Sequence, residues 1–275
     1  MIYIIITIIV LIIIYFIYED YILDVSKYKV INKRVPIEFN NFKIAHISDF
    51  HSTKKMYTIN KIIETINKEK PDIIVITGDL YDERVKSRKG VNHLIDNLPK
   101  DIPVYYTPGN HEFWCKYLEE AYKELKSKNV NILISENKII NKGNSCINLV
   151  GLEDAIFNDV SENILYKTTI HNISNLKYDK DLFTVLLSHR PNFFDIYVNK
   201  KIDLTLTGHA HGGQWIFPFI GSIYAPDQGI FPKLTKGIHK KEECTMVISR
   251  GIGNSGFPIR INNKPELVFI TLNKE

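Results

Sequence analysis

The sequence predicts an α/β domain with its sheets covered by helices, preceded by a single transmembrane helix. Five apolar runs each end abruptly in a polar or glycine-containing turn: "FKIAHISDFH", "PDIIVITGDLYD", "IPVYYTPGNHE", "LFTVLLSHRP" and "IDLTLTGHAH". Runs rich in Val, Ile and Leu without strict alternation read as strands buried on both faces. Helical patterns sit between the runs, and strand, helix, strand in succession argues sheets packed under helices. The third observation is the N-terminus, an uncharged stretch dominated by isoleucine.

That stretch, "IYIIITIIVLIIIYFIY" at residues 2–18, is about long enough for a bilayer core, which needs roughly 17–25 residues. A cleaved signal peptide would carry a basic segment before it and a small-residue cleavage site after it. No Lys or Arg precedes Ile2, and Glu19 and Asp20 follow Tyr18, so the stretch reads as the uncleaved anchor of a single-pass membrane protein. The alternative is a buried core helix or strand pair, which soluble cores rarely need at a chain end. Lys27, Lys29, Lys33 and Arg34 follow the stretch and favour a cytoplasmic domain by the positive-inside rule. The N-terminal flank is too short for comparison, so the side of the membrane stays open.

Residues 19–41 read as a linker of mixed charge, and residues 42–275 as one domain without internal repeats. Between the first two runs, "TINKIIETINKEK" puts Ile59, Ile62, Ile63 and Ile66 on one stripe, with Thr58 as the expected N-cap. After the third run, "EFWCKYLEEAYKELKSK" puts Phe113, Tyr117, Leu118, Ala121 and Leu125 on the stripe of another helix. "CINLVGLEDA" predicts a strand near the middle, and "TMVISRGIG" and "PELVFITLN" predict two near the end.

The chain has 275 residues, enough for a sizeable core. Lys and Arg number 35 against 31 Asp and Glu, so charge compels no nucleic-acid partner and none is expected. Cys115, Cys146 and Cys244 show neither a disulfide framework nor a zinc-ribbon spacing.

Chemistry enters where the apolar runs stop. The first ends in Asp49 and His51, the second in Asp79, the third in Asn110 and His111, the fourth in His189, the fifth in His209 and His211. Ligands of α/β sheets bind in the crevice outside the strand carboxyl ends, which is where all these residues fall. Of nine histidines, five sit at those ends, a concentration that argues against a polar turn with exposed histidines at "GHAHGGQ". Carboxylate, imidazole and carboxamide groups without thiolate suit a borderline divalent metal such as Mn, Fe, Zn or Co. The candidates exceed the roughly three protein ligands of one catalytic zinc. Two ions about 3.5–4 Å apart, bridged by a carboxylate and a hydroxide, would use them all.

As an ordered set, "DFH", "GDLYD", "GNHE", "SH" and "GHAH" resemble the calcineurin-like metallophosphoesterase superfamily over roughly residues 42 to 272. "GHAHGGQ", the segment "SRGIGNSGFPIRINNKPELVFITL" and the apolar start are similar to its YkuE/YaeI-like membrane-anchored branch. The resemblance implies a four-layer α/β/β/α sandwich over the catalytic domain, 42–275. It implies two divalent metal ions, the first bound by Asp49, His51 and His211, the second by Asn110, His189 and His209, with Asp79 bridging. It also implies hydrolysis of a phosphomonoester or phosphodiester by the bridging hydroxide, with His111 assisting the leaving oxygen. Asp82 and Glu112 fit positions that orient ligands, or else are solvated carboxylates. Arg190 is either a phosphate contact or an ordinary surface arginine. Asp154 has no assigned role. His93, His171 and His239 carry no motif, and His46 reads as a packed or hydrogen-bonded core residue.

Two other functions compete. A nuclease of the superfamily would want a basic groove with stacking aromatics, and no basic run flanks the motifs. A metal-binding scaffold without turnover would have lost ligands, and every motif position is filled. The segment "QWIFPFIGSIYAPDQGIF" leaves two readings open. Trp215, Phe217, Phe219, Ile220, Tyr224 and Phe231 either close a sheet edge in a hairpin or form an apolar lip beside the site. The lip, with the anchor, would suit a lipid-linked phosphoester substrate.

Overall fold

The computed structural model describes residues 1–155, 162–254 and 256–275. The chain opens with helix α1 (Ile2–Tyr21) and strand β1 (Asp24–Ile31). A first half then alternates β2 (Phe42–Ile47), α2 (Met56–Glu69), β3 (Ile73–Thr77), α3 (Lys89–Asn97) and β4 (Val104–Thr107). It closes with α4 (Asn110–Trp114), α5 (Leu118–Ser127) and β5 (Val130–Ile132). The second half holds β6 (Glu136–Lys142), β7 (Ser145–Gly151), α6 (Glu162–Asn175), β8 (Thr184–Leu187), α7 (Phe194–Asn199) and β9 (Leu204–Thr207). Four short strands follow, β10 (Ile216–Phe217), β11 (Gly221–Ser222), β12 (Tyr224–Ala225) and β13 (Gly229–Ile230). The chain ends with β14 (Gly237–Lys241), β15 (Cys244–Ile248) and β16 (Glu266–Asn273).

Two six-stranded sheets result, ordered β1-β16-β2-β3-β4-β5 and β14-β15-β9-β8-β7-β6. Strands β2 to β5 run parallel, as do β7, β8, β9 and β15, so the carboxyl ends of both sheets' central strands gather on one edge.

Three separate cores fill the spaces of a four-layer α/β/β/α sandwich. Ile59, Ile62 and Ile66 of α2, Val91 and Leu94 of α3 and Leu125 of α5 pack on one face of the first sheet with Ala45, Ile74 and Ile76. Ile44, Val75, Val185, Leu187, Leu204 and Val268 lie between the sheets. Leu186, Val150 and Met246 face outward under Ile173 of α6 and Phe194 and Tyr197 of α7. Neighbours along one strand therefore enter different cores. Ile74 faces helices while Ile73 and Val75 face the other sheet. Both faces demand apolar side chains, which is why the runs in the sequence do not alternate.

Three local expectations are corrected. Residues 19–41 hold β1, paired parallel with β16 over eight residues, where a linker was expected. Its side chains are mostly exposed apart from Val30, as an edge strand with one solvated face allows, so it reads as charged sequence. Second, the helix expected from Glu112 onward is two helices that break after Trp114. Phe113 faces solvent and Cys115 enters the core. Third, α2 starts at Met56, so Thr58 lies inside it, and its hydroxyl donates to the Tyr21 carbonyl at the end of α1. His46 is buried, with Nε2 2.7 Å from the Thr77 hydroxyl. Burial pushes its imidazole down to about 3.

Candidate metal centre

The turns after β2, β3 and β9 bend immediately, and the bend is made by the polar residues themselves. Asp49, His51, Asp79, His209 and His211 all hold positive φ, between 46° and 63°. Left-handed backbone costs a non-glycine residue on the order of 1–3 kcal/mol and persists only where the surroundings enforce it. The neighbouring glycines permit close approach. A Cβ on Gly208 would stand 2.1 Å from Asp49 Oδ2, and one on Gly109 would stand 2.4 Å from Asp79 Oδ1. The first contact draws turns of the two sheets together, and the second joins two turns of the first sheet.

The bends bring Asp49, His51, Asp79, Asn110, His189, His209 and His211 into one buried cluster. Among the described residues three groups of three are tight enough to hold an ion: Asp49, His51 and His211; Asp79, His189 and His209; and His51, Asp82 and His111, which shares His51 with the first. His51 Nε2 faces His211 Nε2 at 3.1 Å, and His211 Nε2 lies 3.4 Å from Asp49 Oδ1. On the other side His189 Nε2 is 3.1 Å from Asp79 Oδ2 and 3.2 Å from His209 Nδ1. Asp79 Oδ2 is also 3.7 Å from His51 Nε2, so this carboxylate borders both groups.

The hydrogen bonds on the far side of each ring fix what the near side can do. His51 Nδ1 donates to Asp82 at 3.0 Å, His189 Nδ1 to the Thr77 carbonyl at 2.9 Å, and His209 Nε2 to Asp227 at 2.8 Å. Each inward nitrogen is then a lone pair. Asn110 adds a buried Oδ1 with no hydrogen-bond partner. Backbone N–H groups of His209 and His111 donate to Asp49 and Asp79, but among the described residues no side-chain donor faces the inward imidazole nitrogens and the Asn110 oxygen, an arrangement that a cation satisfies and protons satisfy poorly. Without an ion the cluster draws protons instead. Burial opposes charge on His189, yet Asp79 and Asp49 push it up to about 10. The donor chemistry, nitrogen and oxygen without sulfur, fits borderline divalent metals.

The supporting residues divide in the same way. Glu112 is buried and accepts from the backbone N–H groups of Asp79, Tyr81 and Gly109 at 2.7–2.9 Å. It shapes two ligand turns through their backbone rather than through a His or Asn side chain. Asp82 holds His51 and is itself held by Arg84. Arg190 is buried, with Nε 2.9 Å from both Asp154 oxygens and Nη1 bonded to Asp227, so it is not a surface arginine. Asp154 gains its role there as the partner of Arg190.

His111 stands beside the cluster, its ring 4.6 Å from that of His51 between centroids. Its backbone N–H donates to Asp79, and its Nδ1 lies 2.7 Å from Glu83. It lines a cleft of about 300 Å³ with Asp79, Asn110, His209, His211, Trp114, Tyr224 and Phe257. His93, His171 and His239 lie outside, each bonded to a nearby group.

Two residues were not found from sequence, Asp227 and Glu83. Asp227 sits in "APDQG", in a stretch without periodicity. Glu83 was hidden beside Asp82, and its spacing from Asp79 marks it no more than any exposed glutamate. The segment after "GHAHGG" forms two minute ladders, β10 with β11 and β12 with β13, rather than one hairpin. Phe219 and Ile220 in the turn between β10 and β11, Ile230 on β13 and Phe231 just after it are exposed.

The calcineurin-like phosphoesterase family profile matches residues 42–213. An uncharacterized metallophosphoesterase of Bacillus subtilis, YkuE, is 28% identical over 264 residues, covering 92% of this chain and 87% of its own. A Caenorhabditis elegans protein named "Putative metallophosphoesterase F40B5.2" is 30% identical over 249 residues, 87% of this chain, but the match spans only 50% of its length. Among solved structures, TT1561 of Thermus thermophilus shares the fold with a TM-score of 0.51 at 13% identity, covering 76% of this chain and 89% of that one. With its profile match spanning all five strand-end motifs, the chain belongs to the calcineurin-like phosphoesterase family.

Proposed function

We propose that this chain is a dinuclear metal-dependent phosphoesterase, held at a membrane by α1, with the domain from residue 19 onward carrying the chemistry. The convergence of buried carboxylates and inward imidazole nitrogens on two adjacent points, with the Asn110 Oδ1 unpartnered beside them, is the observation that carries the reading. Asp49, His51 and His211 hold one ion, Asn110, His189 and His209 the other, and Asp79 reaches both. Mn, Fe, Zn and Co all suit this set. When bound, such a pair supplies an acidified water and charge neutralisation at the phosphoryl group.

The chain's own residues do the rest. Glu112 keeps the Asp79 and Asn110 turns in register. Asp82 and Asp227 lock two imidazoles with their lone pairs inward. Arg190 acts through Asp227 and His209 rather than by touching phosphate. Glu83 orients His111, whose Nε2 hands a proton to the leaving oxygen.

The cleft is walled by Trp114, Tyr224 and Phe257 rather than by Lys or Arg, which favours an apolar or lipid-linked ester over a nucleic acid. Helix α1 is long and apolar enough to cross a membrane, with Tyr3 near one end and Tyr15, Tyr18 and Tyr21 near the other, the placing of interfacial aromatics.

The test is turnover of chromogenic phosphomonoesters and phosphodiesters by full-length protein stripped with a chelator and reloaded. Hydrolysis should vanish on stripping and return with at least one of Mn, Fe, Zn or Co. Binding of two ions without turnover of any ester would favour the scaffold reading. Salt-sensitive binding of oligonucleotides would favour the nuclease.

A further inference from the structure

We propose that the strands and turns after the last metal-ligand motif form a lip that seats in the headgroup region of the bilayer crossed by α1, so that the metal cleft opens at the membrane surface. The inference rests on the membrane reading of α1 given above.

The first observation is where the domain touches the helix. The Tyr15 hydroxyl donates to Asn262 Oδ1 at 3.1 Å and accepts from the Asn262 N–H at 3.2 Å. Lys264 Nζ reaches the Tyr18 hydroxyl at 3.1 Å, and Glu19, buried, accepts from the Asn263 N–H at 2.8 Å. Tyr15 precedes the helix end at Tyr21 by six residues, about 9 Å along the axis at 1.5 Å per residue. The domain therefore climbs beside the helix into its apolar stretch. Residues 2–14 alone would span only about 20 Å, short of the roughly 30 Å hydrocarbon core. Spanning needs the level of Tyr15 as well, and that places Asn262 in the interface. The polar groups there pair with one another, as a site poor in water requires. Besides its bonds with Tyr15, Asn262 donates from Nδ2 to the Ile216 carbonyl at 2.9 Å.

The second observation is what hangs from that contact. Ile216 also takes a backbone bond from its own N–H to the Ile261 carbonyl at 2.9 Å, so β10 is tied to the segment that touches α1. The turn beyond β10 carries Phe219, with its side chain wholly exposed, and Ile220, and the β12–β13 pair carries Ile230 and Phe231. Ile220, Ile230 and Phe231 are each more than half exposed. Exposed apolar residues in one stretch mark a surface that something covers. Continuity with a membrane-spanning helix identifies the cover as the bilayer. Tyr224 and Phe257 line the cleft and are packed edge to face, 6.5 Å between centroids, so one aromatic surface joins lip and metal cluster.

The inference is tested by Phe219→Trp and, separately, Phe231→Trp in the full-length protein, reconstituted in phosphatidylcholine vesicles brominated near the headgroup end of the acyl chains. Both sites are exposed and tolerate the larger ring. Emission beyond the wild-type background from Trp114 and Trp215 should fall roughly twofold relative to unbrominated vesicles, because an interfacial side chain sits about 5–10 Å into the headgroup and acyl boundary. Alkaline carbonate extraction of the same vesicles reports on α1 separately. Protein that stays embedded while the new tryptophans are unaffected by bromine overturns the lip and leaves the anchor standing. Tryptophans shielded from both bromine and aqueous acrylamide, together with chemical cross-links between chains, overturn it in favour of a second copy covering the lip. Release by carbonate removes the anchor and the inference together, while metal content and ester turnover still report on the phosphoesterase.

Discussion

Replacing Asp227 with Asn should loosen one metal position and leave the other nearly intact. Asp227 accepts from His209 Nε2 at 2.8 Å and also binds Arg190. Burial works against its charge, but His209 and Arg190 hold the carboxyl well below the usual carboxylate range, so it is ionised at neutral pH. The amide keeps an acceptor for the imidazole and loses the charge that makes the ring a stronger ligand. Loss of such a partner costs about 10–100-fold in metal affinity. The Asp227 side chain is 27% exposed, so solvent screens part of its charge, and about tenfold, near 1.4 kcal/mol, is the expected size. Arg190 keeps Asp154 through both oxygens, which limits collateral unfolding. Asp82→Asn is the companion, acting on His51 through its 3.0 Å bond and so on the other ion. The assay is chelator-competed titration of Mn²⁺, read as two binding steps. The wild type should show two sites, D227N one weakened site, and D82N weakening of the opposite site. Equal weakening of both steps by each variant, or no change in either, would refute the division of ligands between two positions.

Further outcomes follow from the same geometry. His46 is pushed down to about 3 by burial, whereas the unfolded chain takes up its proton near pH 6.5. Its contribution to stability is complete above about pH 6.5 and is lost as pH falls toward about 3, roughly 2 kcal/mol of it by pH 5. In metal-stripped protein, urea unfolding of His46→Gln should lose correspondingly less stability over that interval, and parallel curves for variant and wild type would contradict this. A chain beginning at Glu19 should stay soluble and fold, because it keeps the Glu19–Asn263 and Asp20–Lys55 contacts. A chain beginning at Phe42 should melt far lower or precipitate, because β16 loses its eight-residue partner β1. Equal thermal midpoints for the two would show that β1 contributes nothing. Glu83→Gln should lower turnover by about tenfold with both ions retained, as loss of a charged partner that orients the acid predicts. Loss of an ion in that variant would place Glu83 among the metal supports instead.

Much of the site was legible because its residues terminate strands. Asp49, His51, Asp79, Asn110, His189, His209 and His211 each follow an apolar run, and parallel strands deliver their carboxyl ends to one edge. The runs themselves were legible as doubly buried strands because neighbouring positions such as Ile73 and Ile74 serve different cores. What escaped has no such period. Strand β1 has only Val30 buried, so hydrophobic patterning passes over it. Asp227 and Glu83 reach their histidines across the fold from irregular segments, and nothing local distinguishes them from solvated acids. Sequence leaves Arg190 open between a phosphate contact and a surface arginine because its burial depends on Asp154 and Asp227, which are distant in sequence. The break between α4 and α5 follows from Cys115 turning into the core, a tertiary choice that an amphipathic count over Glu112 to Lys128 smooths away.

The central claim is that Asp79 joins two ions while His111 belongs to the chemistry and not to metal binding. The most direct measurement is metal stoichiometry and ester turnover on the same preparations of Asp79→Asn and His111→Asn. Asp79 Oδ2 lies 3.1 Å from His189 and 3.7 Å from His51, so D79N should lose activity and most of both ions. H111N should keep two ions and lose on the order of 10²–10⁴-fold in turnover, the usual contribution of a general acid. Retention of both ions by D79N, with their loss from H111N, would contradict the account.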